Sequence, residues 1–95
     1  MNLLIPEVTI EECAEVIQSI TKIMRFGMLN NGYDNKSRLE EEIGQLNYML
    51  WRLSEEWELN ETNIVNGFNE KEEALEHYAN HNVCNQTQPE PSAKS

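Results

Sequence analysis

Residues 9–27 read TIEECAEVIQSITKIMRFG, and their apolar residues recur at helical spacing, which predicts an α-helix. Intervals of three and four place five of them on one face of an α-helix: Ile10, Cys13, Ile17, Ile20 and Met24. Thr9 and Glu12 form a capping box, so we expect the helix to begin there. Gly27 predicts its end. We expect Cys13 to be buried within this face as a small apolar residue.

A second helix is predicted after a loop that is rich in asparagine and glycine over residues 29–36. Ser37 and Glu40 form another capping box, and the helix should end near Glu58. Its apolar face is formed by Leu39, Ile43, Leu46, Leu50, Leu53 and Trp57. If the two apolar faces pack antiparallel, residues at their borders meet along one edge of the helix pair.

The remaining chain predicts shorter elements and a polar end. Asn60 could cap a third helical segment through Phe68, and Asn69 could cap a last helix. These patterns divide the whole chain into three predicted regions: an extended lead-in over 1–8, a helical domain over 9–82 and a disordered tail over 83–95. No alternating pattern indicates strands. We therefore expect an all-α protein, a small bundle of three to four helices that oligomerisation completes, since 95 residues bury only a modest core.

The charge of the chain excludes some partners. Seven basic residues face seventeen acidic ones, which gives a formal charge of −10. Duplex nucleic acid and anionic membranes require clustered basic residues, so we expect neither as a partner. No apolar run reaches membrane-spanning length, and residues 1–6 lack the basic region of a signal peptide. We expect a cytoplasmic protein.

Carboxylates at helical spacing are the candidate functional residues. Glu12 and Glu15 lie three residues apart and project from the same side of the first helix. Glu42 and Gln45 repeat this spacing on the second helix. Oxygen ligands suit Mg²⁺, which would also relieve the repulsion between the carboxylates. The alternative is ordinary surface acidity, with Glu12 as part of its capping box, and the residues alone leave both interpretations open.

The order Glu11-Glu12-x-x-Glu15, followed after a loop by Glu42-Ile43-Gly44-Gln45, resembles the MazG-like family of nucleoside triphosphate pyrophosphohydrolases. That family carries E-E-x-x-E on one helix and E-x-x-D on the next. The neighbouring residues also resemble phage-encoded members, in EECAEVIQSITKIMRFG (residues 11–27) and in RLEEEIGQL (residues 38–46). The resemblance covers roughly residues 9–80.

The resemblance implies an all-α bundle that works as a dimer or tetramer. It also implies hydrolysis of a nucleotide between its α and β phosphates, with Mg²⁺ or Mn²⁺ as cofactor. The implied metal ligands are Glu12, Glu15, Glu42 and Gln45, with Glu11 an accessory catalytic residue. Lys22 and Arg25 are the implied phosphate contacts; equally, they are cations that suit a helix C-terminus.

Gln45 is a departure from the family motif, which has Asp at this position. An amide oxygen can ligate Mg²⁺ but carries no charge and accepts no proton as a carboxylate does. Two hypotheses follow. Either the chain is a Mg²⁺-dependent pyrophosphohydrolase, or it is a catalytically impaired relative that binds a nucleotide or a protein partner. We prefer the first, because three carboxylates are retained.

Overall fold

The computed structural model describes residues 2–83, which form three helices and a short pair of strands. In chain order these are α1 (Leu4–Phe26), β1 (Leu29–Asn30), β2 (Tyr33–Asp34), α2 (Asn35–Glu56) and α3 (Glu61–Val83). The predicted all-α class is confirmed for these residues. The predicted disordered tail, apart from Val83, lies outside the described residues.

The start of α1 corrects the expected extended lead-in, because the helix begins at Leu4 and not at Thr9. Pro6 is compatible with this start, since the first turn of a helix leaves its N–H groups unpaired. The Asn2 side-chain oxygen accepts a hydrogen bond from the Leu4 N–H at 2.8 Å. Thr9 is not a cap: it lies inside the helix, and its hydroxyl donates to the Ile5 carbonyl at 2.7 Å.

A tight hairpin joins α1 to α2. Gly27 ends α1 as predicted, with φ of 92° and its N–H donating to the Ile23 carbonyl at 2.7 Å. Asn31 and Gly32 both have positive φ, as the turn of a two-residue hairpin requires. The antiparallel strands β1 and β2 were not predicted, because elements of two residues are too short to show alternation.

The cap of α2 also differs from the prediction. Asp34 occupies the cap position, and its carboxylate accepts hydrogen bonds from the Ser37 N–H at 3.0 Å and the Ser37 hydroxyl at 2.8 Å. Ser37 is therefore the partner of the cap, and the predicted capping box from Ser37 to Glu40 is wrong. The same bonds hold the pKa of Asp34 below its usual range.

The antiparallel helices α1 and α2 pack through a different face of α1 from the one predicted. The least exposed side chains of α1 between residues 9 and 23 are Thr9, Glu12, Val16, Ser19 and Ile23. The predicted apolar face of α1 is exposed, and so is Cys13, which we expected to be buried. On α2, Leu39, Leu46 and Leu53 are half-buried, whereas Ile43 and Leu50 are exposed, as is Trp57 directly after the helix.

α3 is one continuous helix, which corrects the two shorter segments predicted after Asn60. Asn60 is a cap, as predicted: its side-chain oxygen accepts the Asn63 N–H at 3.0 Å. Gly67 does not end the helix. The described residues divide into two units, of which the first ends at Leu59 and the second begins at Asn60. The helix pair and hairpin belong to the first unit, which contains the predicted site.

Candidate metal centre

Three predicted metal ligands come together where α1 packs on α2. Glu12 and Glu15, one turn apart on α1, meet Glu42 from α2, and their ligand atoms lie within 4.8 Å of one another. We call these three residues the acidic cluster. It is the only such group of His, Cys, Asp or Glu side chains in the described part of the chain. Opposite oxygens around Mg²⁺ are about 4 Å apart, so small side-chain movements would complete a site.

Two oxygens of the acidic cluster are buried without a hydrogen-bond partner among the described residues. They are Oε1 of Glu12 and Oε1 of Glu42. Glu42 is 4% exposed, which makes it the only buried charged residue within residues 2–79. A buried carboxylate oxygen without a partner is costly, and a bound cation would remove that cost. The donor set of this cluster therefore fits Mg²⁺ or Mn²⁺.

The electrostatics of the cluster follow from its crowding. The pKa of Glu15 is raised, because a protonated Glu15 donates a hydrogen bond to Glu42 and because the charges of Glu42 and Glu12 repel its own. The pKa of Glu42 is lowered, chiefly because Arg38 Nε donates to Glu42 Oε2 at 2.8 Å. Glu15 is therefore protonated more readily than an ordinary glutamate, and Glu42 less readily. A bound divalent cation would change both tendencies.

The predicted phosphate contacts are separated by the structure. Lys22 lines a hollow of about 400 Å³ together with Ser19, Tyr33, Asp34, Arg38 and Glu41; we call it the Lys22–Arg38 hollow. Arg25 is not among its lining residues. The Arg25 guanidinium lies 5.6 Å from the centre of the Phe26 ring, at the end of α1. Of these two side chains, only Lys22 lines the hollow that Arg38 also lines.

Gln45 and Glu11 stand at the margin of the acidic cluster. Gln45 is exposed and lines a second hollow with Glu12, Glu41, Tyr48 and Met49. This neighbourhood places Gln45 beside one carboxylate of the cluster. Glu11 is exposed on α1 and does not belong to the cluster, although it precedes Glu12 in the chain.

Arg38 is the site residue that sequence reasoning missed. Its ion pair with Glu42 joins residues four apart on α2, and this spacing is visible in the sequence. The signal was weak, since such pairs are common on helix surfaces. The ion pair belongs to the candidate site because Glu42 is buried, and the sequence does not show this burial. Ser19 is buried on α1 and lines the same hollow as Arg38.

None of the helices within residues 2–83 has both the length and the apolar character needed to cross a lipid bilayer. Comparison of the chain with protein-family models, with curated protein sequences and with solved structures finds no match.

Proposed function

We propose that this chain is a Mg²⁺-dependent nucleotide pyrophosphohydrolase. It would cleave a nucleoside triphosphate, or a related nucleotide, to the monophosphate and pyrophosphate. The observation that carries the proposal is the acidic cluster, in which Glu12, Glu15 and Glu42 converge from two helices with two buried oxygens unpaired. The spacing of these residues and its resemblance to the MazG-like motif support the same reaction.

In this reaction water hydrolyses the phosphoanhydride linkage between the α and β phosphates, and the products are the monophosphate and pyrophosphate, which between them take up the oxygen and protons of the water. Glu12, Glu15 and Glu42 would hold Mg²⁺ or Mn²⁺. When bound, such an ion polarises a phosphoryl oxygen and lowers the pKa of a water molecule. Arg38 holds Glu42 ionised through its hydrogen bond, so this ligand stays available for a cation. Glu11 is an accessory candidate beside Glu12.

Basic side chains near the cluster would bind the phosphates of the nucleotide. Lys22 lines the Lys22–Arg38 hollow and is the stronger candidate of the two predicted contacts. Arg25 would act from the end of α1 only if the substrate extends beyond this hollow. The nucleotide therefore approaches the cluster along the edge of the helix pair, on the side of the hairpin.

The exposed apolar surface supports an oligomer, a dimer or a tetramer, as the working form. Among the hydrophobic residues described, only Ile5 is buried. The exposed apolar residues of the two helices form one set: Ile10, Ile17, Ile20 and Met24 of α1, Ile43 and Leu50 of α2, and Trp57 at the end of α2. We call this set the apolar face. A second copy of the chain would cover it and supply the core that one copy lacks. The oligomer would act in the cytoplasm, or in the host cytoplasm if the chain is phage-encoded.

The proposal is tested by measuring pyrophosphate release from a panel of ribo- and deoxyribonucleoside triphosphates, with Mg²⁺ present and with Mg²⁺ removed by a chelator. We expect release from at least one nucleotide, only with the metal, and none from the Glu42→Gln variant. Glu73→Gln, an exposed change of equal charge on α3, is the control. Absence of release from the whole panel in the presence of Mg²⁺ overturns the enzymatic proposal.

Gln45 favours a second candidate function, a catalytically impaired protein that binds a nucleotide or a protein partner. Gln45 lies beside Glu12 in the second hollow and brings no charge to the cluster. Fewer charges weaken the binding of a divalent cation. Nucleotide binding without pyrophosphate release would establish this alternative.

A further inference from the structure

The Arg38 side chain is largely exposed, yet it forms an ion pair with a buried carboxylate between the two helices. Its Nε donates to Glu42 Oε2 at 2.8 Å. The Arg38 side chain is 66% exposed, whereas the Glu42 side chain is 5% exposed. One edge of the guanidinium is therefore fixed on a buried carboxylate, while the rest of the group faces solvent at the Lys22–Arg38 hollow.

The contact with Arg38 engages only one of the two oxygens of Glu42. Arg38 uses Oε2, and Oε1 remains buried without a partner in the described part of the chain. A cation bound by the cluster would take Oε1, so the ion pair with Arg38 need not break. Positioning by a hydrogen-bonded neighbour of this kind is common for metal ligands in proteins.

The Lys22–Arg38 hollow, of about 400 Å³, brings two basic side chains and two carboxylates together. Lys22 from α1 and Arg38 from α2 both line it. Asp34 lines it too, but its carboxylate already accepts two hydrogen bonds from Ser37. Glu41 is the opposing charge, exposed at the rim. A cation bound next to Glu42 would offset this charge.

We propose that Arg38 is a positioning and phosphate-binding residue, which fixes Glu42 through Nε and binds phosphate oxygens through its Nη groups. This inference rests on the proposed function, because it assumes a metal at the acidic cluster. Among the described residues the Nη groups make no hydrogen bond, and a guanidinium offers a planar pair of donors that fits phosphate. The phosphate chain of the nucleotide then runs from the cluster toward the hairpin.

The alternative is an ion pair that only stabilises α2, as many pairs four residues apart do. The two roles differ in what they predict for pyrophosphate. A helix-stabilising pair has no contact with an anion in the hollow. A phosphate-binding Arg38 changes the affinity for pyrophosphate even when the protein is folded and the metal site is saturated.

The experiment is calorimetric titration of inorganic pyrophosphate into the full chain, with Mg²⁺ at a concentration that saturates each variant in its own metal titration. Arg38→Gln should weaken pyrophosphate binding about tenfold or more, the loss expected for one charge-assisted hydrogen-bonded contact. Arg38→Lys keeps the charge without the planar donors and should lie between this variant and the wild type. Lys36→Gln, an equal loss of charge on the same helix outside the hollow, should bind as the wild type does.

A spectroscopic measurement separates positioning from a purely structural role. In proton–nitrogen correlation spectra, the Arg38 Nε–H signal should stay protected from exchange when Mg²⁺ is added and should shift again when pyrophosphate follows. Loss of protection on adding Mg²⁺ means that Arg38 leaves Glu42, and this overturns the positioning role.

The outcomes distinguish the inference from the function on which it rests. If the wild type binds no divalent cation, the proposed function fails and the inference fails with it. If the wild type binds Mg²⁺ and pyrophosphate but Arg38→Gln binds pyrophosphate equally well, only the role of Arg38 is overturned.

Discussion

Two regions of the molecule are rich in carboxylates, but they differ in how these side chains are arranged and in how far they are buried. The acidic cluster draws its three members from two helices, and buries two of their oxygens. The other region is an acidic run along the single helix α3, with every side chain exposed: Glu70, Glu72, Glu73 and Glu76. Convergence and burial, and not the number of carboxylates, therefore distinguish a candidate metal site from an acidic surface.

Removing a carboxylate from each region should give the largest contrast. A ligand present at about 100 times its dissociation constant stabilises the folded state by about 2.7 kcal/mol, so Mg²⁺ or Mn²⁺ should raise the melting temperature. Glu15→Ala should abolish this shift. Glu73→Gln on α3 should leave it unchanged. Equal responses of the wild type and Glu15→Ala, measured by scanning calorimetry, would place the metal elsewhere.

A charge on the apolar face should test whether this face, and not the acidic cluster, holds copies of the chain together. Burying an isoleucine contributes about 1.5–3 kcal/mol, so Ile17→Asp should shift an oligomer toward monomer at micromolar concentration. Gln18→Asp adds the same charge at an adjacent exposed position and should have little effect. Light scattering during size-exclusion chromatography measures the mass. A wild type that is a stable, folded monomer contradicts the prediction.

Adding a carboxylate to the cluster should have moderate effects of opposite sign: stronger metal binding, and lower stability of the metal-free protein. Gln45→Asp should strengthen Mg²⁺ binding about tenfold, by about 1.4 kcal/mol, because it adds an anionic oxygen ligand near Glu12. Pyrophosphate release should also rise.

Without metal, Gln45→Asp should destabilise the protein by more than about 0.5 kcal/mol, since it adds a like charge to the cluster. The measurements are calorimetric metal titration and denaturant unfolding with and without Mg²⁺. No change in metal affinity, stability or turnover would show that Gln45 lies outside the site.

The smallest expected effect is a pair of opposite pH dependences in the metal-free protein. The raised pKa of Glu15 means that the folded state binds its proton more tightly than the unfolded state does. Its contribution to stability is therefore present at low pH and is lost as pH rises through the folded pKa. The Glu15→Gln variant has no such titrating group. Its free energy of unfolding, relative to that of the wild type, should therefore increase as pH rises above the ordinary pKa of a glutamate.

Glu42 should behave in the opposite way, because its pKa is lowered. Its contribution is present above the ordinary pKa of a glutamate and is lost as pH falls through the lowered value. The wild type should therefore lose its advantage over Glu42→Gln as pH falls. Denaturant unfolding at a series of pH values measures both differences, and slopes of the same sign would contradict the electrostatics of the cluster.

The sequence predicted the helices better than their ends and their contacts. Gly27 and Asn60 end or begin helices as expected, since both signals act within a few residues. The start of α1 was misplaced, because Pro6 fits a first helical turn as well as an extended chain. The continuity of α3 was missed, because Gly67 and Asn69 only weaken a helix and do not break it.

The face of α1 that packs on α2 could not be predicted from apolar spacing alone. The most regular apolar set, which includes Ile10 and Ile17, lies exposed, while a face carrying Glu12 and Ser19 is turned inward. Hydrophobic periodicity shows that a face requires burial, but not which partner buries it. Here the spacing is consistent with a partner outside the single chain.

The helical class and the placement of Glu12, Glu15 and Glu42 on two helices could be predicted from the sequence, because these features depend on residue order and helical period. Only the tertiary structure decided that the three carboxylates converge, that Glu42 is buried and that Arg38 holds one of its oxygens. The physical reason is that burial and the distance between helices depend on how α1 rotates against α2. That rotation is a property of the packed pair, and neither helix specifies it alone.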